Sequence, residues 1–398
     1  MAQKKKNAVI VGGGTSKFGV RQAHLMDMIQ EAARACADDI PGLKPADIDG
    51  LIIATTMAGR HSSALNTAPL VVHRLGLKPT SICIRLDTLC SGSNSAIIVA
   101  KGLIESGIAE VILVTGAEKV YMPQRWETNY TQLAVNDHDW DSAMGLGVPP
   151  PFFAMIAHMH MKRYGTTKEQ MAHVSVTNYT YGNGHTNGHF AGKTLTMQEA
   201  LEARLIADPF GLYDCCPLSD GASAVIIASE ERAKAMSKRP LVYLRGTGQH
   251  ATHSMSAGWP GDTLAEWPHL KKAGEVALKN AKLTPKDIDV AQTHDCFTIS
   301  EIIELEELGF CKKGEGGAFV ASGAIGPNGS IPTNTDGGLL VYGHPFGASG
   351  ARQAIEICKQ LQGRAIHQVN KAAFGLTHNL SGTCAQHTVV VYGKEPVK

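Results

Sequence analysis

Apolar residues recur along this chain in two rhythms. Short runs bounded by glycine or charge, the pattern of buried strands, alternate with longer stretches in which apolar positions return every third or fourth residue, the pattern of a helix face. The first half opens with a strand-like run from Ala8 to Val11 and a helix-like stretch from Met26 to Ala37. The segment Leu43-Lys44-Pro45-Ala46-Asp47-Ile48-Asp49 then leads into Leu51-Ile52-Ile53. The second half repeats the plan with Leu241 to Leu244, Leu270 to Ala281, and Leu283-Thr284-Pro285-Lys286-Asp287-Ile288-Asp289 before Val290-Ala291. Later, a strand-like run from Ser81 to Leu86 precedes a helix from Ala96 to Glu105 and a strand from Val111 to Val114. A helix from Ala351 to Gln362 likewise precedes a strand from Ala372 to Gly375. Strand–helix alternation within a duplicated unit predicts two similar α/β halves with mixed sheets. The stretch from Lys119 to Pro217 has no counterpart and reads as an inserted loop domain. The expected units are residues 1–118 with 218–238, residues 119–217, and residues 239–398.

Composition narrows the class. With 398 residues, 43% hydrophobic and 18% charged, the chain is long enough for two domains or one large one. A net charge of +1 gives no bulk attraction to nucleic acid. No run reaches the roughly 18 apolar residues of a membrane span. The first apolar run is too short for a signal peptide, and Glu395-Pro396-Val397-Lys398 is no peroxisomal address. Nine cysteines, an odd number without a Cys-x-x-Cys pair, read as reduced thiols in the cytoplasm. His158, His160, His185 and His189 read as structural or surface histidines, and no metal is expected. Gly12-Gly13-Gly14 and Gly246-Thr247-Gly248 match neither dinucleotide nor phosphate-loop spacing, so neither NAD nor a nucleoside triphosphate is expected.

Three segments carry candidate chemistry. Cys90 lies in Asp87-Thr88-Leu89-Cys90-Ser91-Gly92-Ser93-Asn94-Ser95-Ala96, a strand-to-helix turn rich in residues that cap helices. The positive end of a helix dipole favours thiolate, so a depressed Cys90 pKa is expected. Thr293-His294-Asp295-Cys296-Phe297 follows an alternating apolar stretch. Gly343-His344-Pro345 holds a histidine in a tight turn before a helix. Together they offer a nucleophilic thiol, two imidazoles and a second, acid/base thiol.

These motifs, with Val114-Thr115-Gly116-Ala117-Glu118 and Ser219-Asp220-Gly221-Ala222-Ser223-Ala224, resemble the thiolase superfamily from end to end. His294-Asp295-Cys296-Phe297 resembles the sterol-carrier-protein-type branch, which includes archaeal and bacterial thiolases; ordinary thiolases carry Asn-Glu-Ala-Phe there. The resemblance implies two βαβαβαββ halves in a five-layer α-β-α-β-α arrangement, with an insertion that shapes the acyl pocket and lies over coenzyme A. It implies Cys90 as nucleophile, His294 and His344 as ligands of an enolate oxygen, and Cys296 as the thiol that moves the Cα proton. In Thr377-His378-Asn379-Leu380-Ser381-Gly382-Thr383-Cys384, Asn379 stands where ordinary thiolases place their acid/base cysteine. A second oxyanion hole would use backbone N–H groups of Cys90 and of Ser381 or Gly382. Coenzyme A is implied as co-substrate, with no permanently bound cofactor. A homodimer is implied, together with a small partner carrying a zinc ribbon and an OB-fold. The default substrate is acetoacetyl-CoA. A bulkier or aromatic 3-oxoacyl-CoA such as benzoylsuccinyl-CoA, a decarboxylating or HMG-type condensing enzyme of the same fold, and a non-catalytic acyl-CoA-binding subunit are the alternatives. Phe152, Phe153, Met155, Met159 and Met161 lie in the insertion, where core packing is favoured over substrate contact.

Overall fold

A computed structural model of the chain describes residues 6–397 apart from 134, 136, 137, 144, 253–258 and 260. The first half supplies β1 (Ala8–Thr15), α1 (Leu25–Asp39), β2 (Gly50–Ala54), β3 (Ile82–Leu86), α2 (Gly92–Glu105) and β4 (Val111–Glu118). Two long helices follow between the halves, α3 (Pro149–Tyr164) and α4 (Lys168–Gly182), and β5 (Gly221–Ser229) then returns to the sheet. The second half supplies β6 (Val242–Ala251), α5 (Pro268–Ala281), β7 (Val290–Gln292), α6 (Thr298–Glu307), α7 (Ser349–Leu361), β8 (Phe374–Ser381) and β9 (Gln386–Gly393).

Among the described residues these nine strands form one mixed sheet in the order β3-β2-β4-β5-β1-β6-β9-β8-β7. In the first half β2 runs parallel to β3 and β4, and β5 is antiparallel to β4 and β1. The second half mirrors this: β8 is parallel to β7 and antiparallel to β9, which is antiparallel to β6. A parallel bridge between Ala291 and Thr333 stands where a fifth strand would lie. The halves join where β1 meets β6 through two antiparallel rungs, Val9 with Tyr243 and Ile10 with Val242. The duplicated halves therefore share one continuous sheet, with the junction at their first strands.

Layering follows from which helix faces are apolar. In α1, Leu25, Met28, Ile29, Ala32 and Cys36 are buried at helical spacing, so one stripe packs on the first half-sheet. In α7 nearly every residue is buried, polar ones included, as required of a helix enclosed on all sides. It packs with α2 in a central layer whose apolar cluster draws on strands of both halves. Helices α5 and α6 cover the second half-sheet beside α3 and α4. Both central helices start one turn or less before the positions that periodicity indicates: α2 at Gly92 and α7 at Ser349. The small polar residues after Cys90 thus lie inside the helix. Among the described residues no helix is long and apolar enough to cross a membrane.

Candidate active site

Cys90 sits in one tight helical turn, Leu89–Ser91, between β3 and α2. Leu89 holds φ 48, left-handed for a residue with a side chain, a strain of about 1–3 kcal/mol that only a well-determined setting sustains. Asp87 Oδ1 accepts from Leu89 N at 2.9 Å and fixes the turn. Ser91 stands at the N-cap yet makes no capping bond. Its hydroxyl meets Thr88 O at 3.1 Å and Ser381 Oγ at 2.6 Å, while Ser91 N donates to Ser381 Oγ at 3.2 Å. Ser381 thus pins the nucleophile turn with its side chain. Backbone N–H groups of Gly382 and of Cys90 itself both favour the thiolate form of the Cys90 sulfur, Gly382 more strongly. Gly382 has φ 58, and a Cβ there would stand 2.9 Å from Val135 O, so only glycine suits the position.

The second half brings two imidazoles to the same sulfur. His344 Nε2 lies 3.3 Å from Cys90 Sγ, and Nδ1 lies 2.8 Å from Ser349 Oγ. The Ser349 hydroxyl donates to Pro345 O at 3.3 Å, so it accepts from His344 Nδ1–H and leaves Nε2 bare to accept from the thiol. His294 is set the other way. Asn379 Nδ2 donates to His294 Nδ1 at 3.0 Å, which leaves the ring proton on Nε2. That Nε2 has no hydrogen-bond partner among the described residues. The two rings stand 4.9 Å apart and nearly perpendicular. Cys90, His294 and His344 place a sulfur and two nitrogens within 4.8 Å of one another.

Cys296 completes the group. Its sulfur lies 3.6 Å from Ser300 Oγ. Asp295, beside it, accepts from Leu339 N at 2.7 Å and Leu340 N at 3.1 Å, tying this turn to the helix just before His344. Residues returning from the insertion thread between these motifs: Cys215 bridges to Phe297, Leu218 bridges to His344, and Cys216 N donates to Cys296 O at 2.9 Å. Cys90, His294, Cys296, His344 and Gly382 line one cavity of about 90 Å³, walled by Phe153, Phe297, Phe346, Pro149, Pro150, Leu218 and Leu380. Of the insertion residues singled out in the sequence, Phe153 lines this cavity and stacks on Phe297 at 4.4 Å, whereas Phe152 is in the core and Met155 faces solvent. His160, buried and hydrogen-bonded to Thr166 and Glu306, and His189, partly buried and bonded to Ser219, serve as structural groups.

The expected depression of the Cys90 pKa is overturned. Burial pushes the thiol up to about 12; the Gly382 N–H pulls it down by less, and the Glu118 carboxyl adds to the rise. A helix dipole acts in the same sense as that N–H, but the loss of water around a thiolate is the larger effect. Burial, with the Arg352 cation second, holds His344 down to about 3. Burial, with the His344 and His378 rings second and third, holds His294 well below the usual imidazole range. Burial raises the Cys296 thiol well above its usual value. The resting site is therefore neutral throughout: two thiols and two imidazoles of opposite tautomer.

Sequence reasoning assigned no role to Glu118, Cys215, Cys216, Ser349 or Glu304. Glu118 accepts from Thr56 N at 2.6 Å and Met57 N at 3.1 Å, bracing the floor beneath Cys90. Its signal was its place at the end of the Val114–Glu118 run. For Cys215 and Cys216 the only signal was their position at the return from the insertion.

Comparison with known proteins places this architecture. A family model described as "Thiolase, N-terminal domain" matches residues 8–231, and one described as "Thiolase C-terminal domain-like" matches residues 248–394. The chain belongs to the thiolase family. It is 33% identical over 391 residues to "Acetyl-CoA acetyltransferase" of Methanothermobacter thermautotrophicus, covering 98% of this chain and 100% of that one. It is 31% identical to "Sterol carrier protein 2" of Bos taurus over 94% of this chain and 70% of the relative. Among solved structures, "Ltp2-ChsH2(DUF35) aldolase" superposes with a TM-score of 0.83 at 26% identity over 98% of each chain. The chain is thus an acyltransferase of the thiolase type.

Proposed function

We propose that this thiolase cleaves acetoacetyl-CoA, or forms it from two molecules of acetyl-CoA, with the chemistry divided among Cys90, His344, His294 and Cys296. As the Cys90 sulfur attacks the 3-keto carbon, its proton moves to His344 Nε2. The backbone N–H groups of Cys90 and Gly382 meet the oxyanion that forms; preorganised donors of this kind are worth about 3–4 kcal/mol. The carbon–carbon bond then breaks. The enolate oxygen is held by His294 Nε2–H and by His344, while Cys296 gives its proton to the enolate carbon. Coenzyme A next takes the acyl group from Cys90, its thiol proton going to Cys296 and the His344 proton returning to Cys90, so the proton count closes. The carrying observation is the set of four reactive groups around one cavity with apolar walls. The 33% identity to "Acetyl-CoA acetyltransferase" of Methanothermobacter thermautotrophicus supports acetoacetyl-CoA as the substrate.

The same reading includes a homodimer core in the cytoplasm, with coenzyme A as co-substrate and no permanent cofactor. The edge strand β3, partly buried and with Cys83 exposed, supports pairing with a second copy. Similarity to "Ltp2-ChsH2(DUF35) aldolase", whose title pairs two proteins, supports a partner protein, which in this reading is the small one with a zinc ribbon and an OB-fold. The test is thiolysis of acetoacetyl-CoA by the purified chain, alone and with such a partner, beside its Cys296→Ala variant. Cys296→Ala should still acquire an acetyl group on Cys90 from acetyl-CoA yet lose carbon–carbon cleavage, whereas Cys384→Ala should keep it. The reverse pair of outcomes would refute the assignment.

A further inference from the structure

Behind Cys296 the second half buries a column of titratable groups for which the proposed chemistry has no use. Ser300 and Glu304 lie one turn apart on the same face of α6, and Cys296 stands two residues before the helix begins. The Cys296 sulfur lies 3.6 Å from Ser300 Oγ, and the Glu304 charge would be felt at both Cys296 and Cys384. Glu304 Oε2 accepts from His294 N at 2.8 Å and lies 3.5 Å from His378 Nδ1; Oε1 has no partner among the described residues. His378 Nε2 lies 3.1 Å from His387 Nδ1, with the rings stacked. His387 on β9 stands directly opposite His250 on β6, so the two side chains share a face of the sheet. His250 is hydrogen-bonded through Nδ1 to His269 Nδ1 of α5, and both rings are only partly buried.

Glu304, His378 and His387 are fully buried. Burial raises the Glu304 carboxyl well above its usual range, lowers His378 to about 3 and takes His387 well below the imidazole range. Buried polar groups assembled for stability alone have their bonds made, because each orphan costs about 1–3 kcal/mol. Here an oxygen of Glu304 and a nitrogen of His378 remain short of hydrogen bonds. What the column does offer is a series of proton-carrying groups: Cys296 meets Ser300, Glu304 meets His378, His378 meets His387 and His250 meets His269, while helical spacing sets Ser300 beside Glu304 and strand register sets His387 beside His250. Each member can take a proton at one atom and release it from another.

We propose that Glu304, His378, His387 and the His250–His269 pair form a proton path joining Cys296 to solvent without passing through the substrate cavity. This rests on the reading of Cys296 as the acid/base thiol. To restore the thiol, the Ser300 hydroxyl passes its proton to the Cys296 sulfur and takes one from the Glu304 carboxyl. Glu304 is refilled from His378 Nδ1, His378 from His387, and His387 from the outer pair, which takes one proton from water. Only S–H, O–H and N–H bonds change, and no oxidant or reductant is needed. The path lets Cys296 exchange its proton with bulk water while acyl-CoA fills the cavity.

The experiment is solvent exchange of the acetyl methyl protons. The enzyme is incubated with acetyl-CoA in D₂O, and deuterium in the recovered thioester is followed by mass spectrometry. Exchange should fall about tenfold or more in Glu304→Gln, which keeps an acceptor for His294 N–H, and in His387→Phe, which keeps a stacked ring. Acetylation of Cys90 should be unchanged in both, and added imidazole should restore exchange to His387→Ala. Exchange at the wild-type rate in Glu304→Gln and His387→Phe would overturn the path. If His387→Phe does not fold, His250→Phe at the outer end takes its place, with the same two outcomes. Cys296→Ala separates the two claims: exchange that persists there refutes the acid/base reading itself, whereas loss there with normal exchange in the column variants refutes only the path.

Discussion

His344 and His294 face one another 4.9 Å apart, come from the same half of the chain, and are both kept neutral by burial. They nonetheless offer opposite chemistry to the cavity. Behind His344 stands a hydroxyl already committed to the Pro345 carbonyl, so the ring must give Nδ1–H and present a bare Nε2. Behind His294 stands the amide of Asn379, a donor, so the ring presents Nε2–H. Burial decides charge for both; the partner one bond removed from the reaction decides which is a base and which a hydrogen-bond donor. The same separation explains Cys90. Its place at a helix start suggests a thiolate, but burial sets the resting thiol, and a bare nitrogen at 3.3 Å supplies the means of removing its proton when needed.

The largest expected effect comes from removing each ring in turn. His344→Asn should slow acetylation of Cys90 by acetyl-CoA by about 10²–10⁴, the usual worth of a positioned base. His294→Asn should leave that step nearly intact and slow carbon–carbon cleavage by about 10²–10³, the cost of one preorganised donor. Rapid-quench detection of the acyl-enzyme beside steady-state thiolysis measures both. Equal losses in the two steps for both variants would erase the distinction between the rings.

Exchanging the partner is a finer cut. Asn379→Asp replaces a donor with an acceptor, so His294 must turn its proton to Nδ1 and present a bare Nε2. The carboxylate also raises the ring's pKa from its present position well below the usual imidazole range. The sign follows: at pH 8 the variant lacks the Nε2–H donor and should lose about 10–10² in cleavage. As pH falls through the raised pKa, the imidazolium regains that donor and activity should partly return. The wild-type enzyme should show no such recovery. A variant with a flat pH profile would argue against control by tautomer.

Much of this arrangement was legible in the sequence, and the part that was not has a physical reason. Duplication of the Leu43–Asp49 and Leu283–Asp289 segments revealed two like halves, because local turn chemistry repeats with the fold. Cys90 and His344 stood out because reactive residues in glycine- and serine-rich turns are conspicuous along a chain, and His294 and Cys296 because a histidine and a cysteine stand two residues apart just after an apolar strand-like run. Their protonation states were not legible, since burial depends on the insertion and on both halves closing over the site. Ser349 and Asn379 gave no signal of choosing tautomers: each is an ordinary polar residue until the fold sets it against a ring. The Gly382 donor and the Ser381 clasp could not be told apart by order alone, because φ 58 at Gly382 appears only once β8 and β9 are joined.

Alkylation tests the neutral resting state. With its thiol pushed up to about 12, Cys90 should react with iodoacetamide about tenfold faster for each unit of pH from 6 to 9, without a plateau. The exposed Cys83 should be labelled ahead of it at neutral pH. Peptide mapping distinguishes the two. A plateau for Cys90 near pH 7 would show a resting thiolate, and the helix start would then outweigh burial after all.

The smallest effect should come from Ser349→Ala, and it isolates the tautomer of His344 from everything else. The hydroxyl touches neither the sulfur nor the cavity; it accepts Nδ1–H at 2.8 Å and donates to Pro345 O. Without it, Nδ1–H loses its acceptor in a buried site, a penalty of about 1–2 kcal/mol. The ring can escape that penalty by moving its proton to Nε2, where it faces Cys90 and blocks transfer from the thiol. A bias of that size corresponds to about a fivefold to thirtyfold smaller population of the productive tautomer. Acetylation of Cys90 should slow by that factor, with the affinity for acetyl-CoA unchanged, because nothing that meets the thioester has moved. Ser349→Thr retains the hydroxyl and should recover most of the rate. A purely structural role at the start of α7 would instead lower the melting temperature in both variants and leave the acetylation rate of the folded fraction alone. Rates equal to wild type in Ser349→Ala would mean that His344 keeps its tautomer unaided, and that the contrast with His294 is set by the Asn379 side alone.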